Sequence, residues 1–249
     1  LYAENTFFIF TFVFFNAFGQ KNDTIFNYEM GITANLNKGN LDQILLGSNV
    51  LLSKSNKNIG FRFKSITFHQ WLLGNNFDED YYPNLVFFVK PLAKISPYTI
   101  ARYEQSKRRG LDHREMIGAG ISFLFEKQAL HTFRLSTNLM YEMTTFTADN
   151  VSLIGNLSDK QRKIWRITGF LNAQHRFLKD NLHLNYEIWF QPTINNFNDF
   201  RGQIDLNLDN RLSKSLFLRM KLFYFYESVL PSNLKNGDLR ASFGFVFKR

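Results

Sequence analysis

The stretch Leu239–Arg249, LRASFGFVFKR, alternates residue by residue. Leu239, Ala241, Phe243, Phe245 and Phe247 fall on one face of an extended chain. Arg240, Ser242, Gly244, Val246 and Lys248 fall on the other, because successive strand side chains point to opposite sides. A soluble sheet with one buried face alternates in the same way. Here the pattern recurs along most of the chain, on stretches of about ten residues, with no helical segment to cover the apolar faces. Lipid is a partner that can cover so many faces. The expected fold is all-β: a closed antiparallel transmembrane β-barrel of about twelve strands, threaded as an up-and-down meander.

Composition agrees with that reading. Phenylalanine occurs 29 times in 249 residues and aromatics make up 17%, yet the mean hydropathy is only −0.24. Alternation produces this combination, since every second residue stays polar. A helical membrane protein needs apolar runs of about 18 residues or more, and none is present. The chain has no cysteine, which excludes disulfides and thiolate metal sites. Its net charge of +9 is spread along strands and turns rather than gathered in a patch, which argues against nucleic-acid binding.

Phe7–Phe18, FFIFTFVFFNAF, is an apolar run without a period of two, with small residues at its end, Ala17 and then Gly19. It reads as the core of a signal peptide over residues 1–19 whose start is truncated, with an outer-membrane barrel over 20–249.

The strand segments predict a charged interior. Glu29 opposes Tyr28 and Met30; Arg62 and Lys64 oppose Phe61 and Phe63; Arg102 and Glu104 oppose Ala101 and Tyr103. Arg114 opposes Ile117, Arg134 and Glu142 oppose Leu135 and Tyr141, and Arg166 opposes Trp165. Glu187, Asp205, Arg219, Lys221, Glu227 and Arg240 complete the inward set. The phase is lost after Ser65, and Gly74–Asn84 reads as a polar, acidic loop. Several connections after odd-numbered strands are longer than those after even-numbered ones. Outer-membrane barrels keep short turns in the periplasm, so both termini are expected there.

Three segments carry a resemblance: Tyr28–Asn40 (YEMGITANLNKGN), Tyr103–Gly110 (YEQSKRRG) and Asn236–Phe247 (NGDLRASFGFVF). They resemble an uncharacterised family of predicted outer-membrane barrels named for salt-induced expression, and the signal and last strand are similar to its Bacteroidetes members. The resemblance implies the fold, an outer-membrane location and a role in envelope adaptation. It brings no catalytic residues and no cofactor. Barrels of this kind commonly end on an aromatic residue read by the insertion machinery; here Phe247 is followed by Lys248 and Arg249.

Function is then sought in the lumen. Paired opposite charges can plug a narrow barrel, whereas rings of Arg and Lys make an anion-favouring pathway. The basic segment Lys107, Arg108, Arg109 is a candidate contact for lipopolysaccharide phosphates on the outer side. Asp78, Glu79 and Asp80 form an acidic cluster whose spacing matches no calcium loop, and no metal site is expected. Trp71, Tyr81, Tyr82, Tyr141, Trp165, Tyr224 and Tyr226 suit an interfacial girdle, and Trp189 falls on the inward face. The competing function is a lipid-modifying enzyme. None of the five histidines sits beside a serine in a motif, there is no G-x-S-x-G, and His175 and His183 lie near a turn. The enzyme reading therefore ranks below a structural or narrow channel-like barrel. A soluble lipid-carrying barrel ranks lower still.

Overall fold

The computed structural model describes residues 25–37, 43–72, 75–127, 130–147, 161–229 and 235–249; the expected signal segment lies outside them. The described residues form β1 (Ile25–Asn37), β2 (Gln43–Ser55), β3 (Ile59–Leu72), β4 (Asn75–Tyr81), β5 (Asn84–Val89), β6 (Ile95–Ser106) and β7 (Leu111–Lys127). They continue through β8 (His131–Phe146), β9 (Gln161–Phe177), β10 (Leu182–Pro192), β11 (Phe200–Arg211), β12 (Leu216–Glu227) and β13 (Gly237–Lys248). Every strand pair is antiparallel, and β1 pairs with β13, so the sheet closes on itself without an edge.

The wall has twelve positions because β4 and β5 share one. Both pair with β3 on one side and β6 on the other. Pro83, which has no N–H for a ladder, separates them. The wall stays continuous across the break. Tyr82 and Ile66 exchange backbone hydrogen bonds, and Tyr103 N–H donates to the Pro83 carbonyl at 3.0 Å.

Residues 75–81 thus correct the expected acidic loop. Asp78 and Asp80 point inward and are buried, while Glu79 and Tyr81 point outward beside His69. An alternation with polar residues on both faces hides its strand character from a hydropathy reading. The lost phase of β3 has the opposite cause. Ile66 and Phe68 continue the inward face of Arg62 and Lys64, so the interior itself turns apolar there.

The outside is as the sequence reading requires. Ile32 is 67% exposed, Ile117 63%, and Leu239 and Phe243 61%, while Arg240 and Ser242 beside them are buried. Trp165 lies outward against Tyr141, with ring centres 5.1 Å apart. Trp71 stacks on His69 at 6.0 Å. Tyr82, expected in the girdle, is instead buried inside, because the period of two that turns Asp78 and Asp80 inward continues to it.

Two seams on opposite sides of the wall are sharply bent. A Cβ on inward-facing Gly120 (β7) would lie 1.9 Å from the Thr137 carbonyl oxygen of β8; one on Gly244 (β13) would lie 1.9 Å from the Ile32 oxygen of β1. Only glycine lets neighbouring backbones fold over each other so closely. Between these corners, β1–β7 face β8–β13, and side chains from the two halves touch. Phe68 on β3 meets Phe223 on β12 with ring centres 5.4 Å apart.

Candidate functional site: the charged lumen

Strand parity puts the inward charges into two tiers. One tier lies toward the end that carries the chain termini and the connections β2–β3, β9–β10 and β11–β12. There Glu187 accepts from Lys64 Nζ at 2.5 Å and from Arg62 Nη1 at 3.2 Å. Lys64 also reaches Asp205 at 2.8 Å, and Asp205 accepts from Lys221 at 2.7 Å. Arg219 grips Asp209 through Nε (2.6 Å) and Nη2 (2.7 Å) and reaches Glu29 at 2.5 Å. Lys248 donates to the same Asp209 at 2.7 Å.

The second tier lies toward the opposite, loop-bearing end. Glu104 is ion-paired with Arg102 at 2.8 Å and accepts from Arg114 at 3.0 Å. Glu142 accepts from Arg166 at 2.8 Å and is ion-paired with Arg201 at 2.7 Å, and Glu227 accepts from Arg114 at 2.5 Å. Arg114, Arg166 and Arg201 are at most 1% exposed. Guanidinium groups do not discharge in proteins, so burial on this scale requires carboxylate partners. Between the tiers, Trp189 packs on Phe170 at 4.3 Å, and Arg102 lies over the Trp189 ring at 4.9 Å and donates to Gln203. Arg240 is held by Asp80 at 2.5 Å and lies over Phe68 at 4.4 Å. Arg134 donates to Ser122 Oγ at 3.0 Å and the Pro91 carbonyl at 2.8 Å.

All fifteen inward charges expected from sequence therefore engage partners in the interior. Arg201 and Asp209 belong with them; continuing the period of two back from Asp205 through Gln203 reaches Arg201. Arg109 is a correction. It is buried, lies over the Phe225 ring at 3.9 Å and approaches Glu104 at 3.4 Å, because the short 3-10 turn Lys107–Arg109 folds it over the rim. Gly110, with φ of 66°, closes that turn. Lys107 is exposed, and the side chain of Arg108 lies outside the described set. Asp78 and Asp80 face inward and Glu79 outward, so the acidic cluster does not converge on one cation. His175 meets His131 on the outer face (Nδ1···Nδ1 3.1 Å), and His183 binds Asp180 at 2.9 Å.

The termini-bearing end holds a vestibule of about 320 Å³ lined by Arg176, His183, Arg211, Lys214, Lys248 and Arg249 among others. It leads to an inner polar cavity of about 140 Å³ between Glu29, Lys64, Glu187, Asp205 and Arg219. In the turn that borders the vestibule, burial alone would raise the Asp180 carboxyl. The Arg211 hydrogen bond and the charges of His183 and Arg176 outweigh it and hold Asp180 below the usual carboxylate range.

Among solved structures, the NanC porin is similar over 90% of this chain and 100% of its own, with a TM-score of 0.52 and 8% identity. An outer-membrane channel from Pseudomonas putida F1 aligns over 91% and 94%, with a TM-score of 0.45 and 9% identity. The KdgM porin aligns over 90% and 98%, at 0.41 and 11%. At 8% identity the likeness to the NanC porin shows the fold alone. No curated protein matches the chain. The model of one family matches residues 88–248, well over half the chain, and the protein belongs to that family, described as "Protein of unknown function, DUF481".

Proposed function

We propose that this protein is an outer-membrane barrel of channel-like build whose lumen is held shut at the loop-bearing end by cross-wall ion pairs. Its basic vestibule opens at the termini-bearing, periplasmic end. One observation carries the reading: the tier around Arg114, Arg166 and Arg201 is almost fully buried, so it fills the lumen rather than lining it. The exposed apolar exterior supports the bilayer location. The short turns beside the termini support a periplasmic vestibule. Its excess of Arg and Lys favours small anions as the species that enter. A role in salt or envelope stress is supported by the family resemblance, and buried pairs of this kind are less screened by salt than surface ones.

Planar-bilayer recording tests this. The wild-type barrel is expected to be nearly silent at neutral pH. A Glu104→Gln, Glu142→Gln double variant, which removes the carboxylates that neutralise the outer tier, is expected to show discrete, anion-favouring openings. A steady, wide-pore conductance in the wild type would overturn the proposal.

A further inference from the structure

On the outer face, near the loop-bearing rim, three side chains form a hydrogen-bonded chain. His113 Nδ1 lies 3.0 Å from Asp112 Oδ2, and His113 Nε2 lies 3.1 Å from Thr145 Oγ1. Asp112 and His113 are neighbours in β7, and Thr145 is the cross-strand partner of His113 in β8. The ladder slips between Leu111 and His113, which leaves Asp112 outside it and free to turn toward the imidazole. All three remain solvent-accessible or half-buried, unlike the neighbouring inward residues Arg114 and Thr144.

The order hydroxyl, imidazole, carboxylate is that of an activated nucleophile, its base and the group that orients the base. With Nδ1–H donating to Asp112, Nε2 of a neutral His113 can accept the Thr145 proton. Directly along the same seam, Glu115 pairs with Met143 and Ile117 with Tyr141. These residues line a largely apolar outer groove of about 460 Å³, completed by Leu85 and Ala101. Same-face positions are about 6.8 Å apart along a strand, so the groove begins one step from the hydroxyl. It faces the bilayer in the membrane reading, which makes a lipid acyl chain its occupant.

We infer that Thr145, His113 and Asp112 form a catalytic site that cleaves long-chain acyl esters of membrane lipid. Thr145 Oγ1 bonds to the ester carbonyl carbon as its proton passes to His113 Nε2. The adduct collapses with cleavage of the ester C–O bond, and His113 returns the proton to the leaving alkoxide. Water then attacks the acyl-threonine, giving its proton to His113, which delivers it to Thr145 Oγ1 as the fatty acid departs. Asp112 is the positioning residue, holding the imidazole in the required tautomer. The inference rests on the bilayer reading but not on the closed lumen.

The test uses refolded barrel in detergent and in vesicles, with p-nitrophenyl palmitate, phosphatidylethanolamine and lipopolysaccharide as separate substrates. Folding is checked independently by heat-modifiable gel mobility. The expected result is turnover that falls about 100-fold or more in Thr145→Ala and His113→Gln, is retained in Thr145→Ser, and falls in kcat without a change in KM in Asp112→Asn. Mass spectrometry of a quenched reaction should find an acyl group on the Thr145 peptide. The phospholipid and lipopolysaccharide arms identify the source of the ester. Absence of turnover on all three substrates by a folded wild-type barrel, or equal turnover in Thr145→Ala, would overturn the inference. Conductance is unaffected by either outcome, so the two proposals fail separately.

Discussion

Lys64 on β3 and Glu187 on β10 are six wall positions apart in either direction, yet their side chains meet at 2.5 Å. A circular wall of twelve strands spaced about 4.8 Å and tilted about 40° would hold opposite backbones roughly 24 Å apart. A lysine and a glutamate joined by a hydrogen bond bridge no more than about 14 Å. The barrel is therefore flattened, with its long walls braced by charge. Glu187→Ala would leave Lys64 and Arg62 without this partner in a buried setting. It should lower the unfolding free energy by about 3–5 kcal/mol. Urea titration in micelles checks this, and a Lys64→Met, Glu187→Met double variant should recover most of the loss.

Flattening needs corners, and the corners need glycine. Gly120→Ala and Gly244→Ala each force a Cβ to within 1.9 Å of a backbone oxygen. Both variants should fail to yield the compact, heat-modifiable band. Gly169→Ala is the control, since its nearest neighbour would be an ordinary 4.0 Å away. It should change stability by no more than about 0.5 kcal/mol.

The turn at Asp180 predicts a pH dependence. The folded carboxyl titrates below its unfolded value of about 3.9. Its contribution is therefore present above that value and is lost as pH falls through the lower, folded one. Below the unfolded value of about 3.9, the stability difference between wild type and Asp180→Asn should shrink toward zero. A difference that grows as the pH falls below about 3.9 would contradict the pairing with Arg211 and His183.

Lipid contact predicts depth-dependent costs on the outer face. Phe243→Arg should cost about 2–4 kcal/mol in vesicles if the position lies near the bilayer midplane, as its place in the middle of β13 implies. Phe243→Leu should be nearly neutral. Refolding yields and unfolding midpoints in vesicles measure both.

Alternation made the wall and its inward charges legible, because period two is a local property of the chain. Legibility failed where the interior is not polar. Ile66 and Phe68, and Phe217, Phe223 and Phe225, are buried inside, and no hydropathy rule separates an inward phenylalanine from a lipid-facing one. It failed at residues 75–81, where both faces are polar. It failed at Arg109, whose direction depends on a 3-10 turn. The pairing of His113 with Thr145 is set by the register of β7 against β8 across 32 residues, a relationship that a motif search along the chain does not see.

The chain has no native cysteine, so single-cysteine spin labels report one site at a time. Labels at Phe243→Cys and Ser242→Cys, in vesicles, test most directly which face of the wall meets lipid. A label at 243 should be mobile and accessible to lipid-dissolved oxygen, while one at 242 should be immobile and shielded. Greater oxygen access at 242 than at 243 would contradict the inside-out barrel on which the account stands.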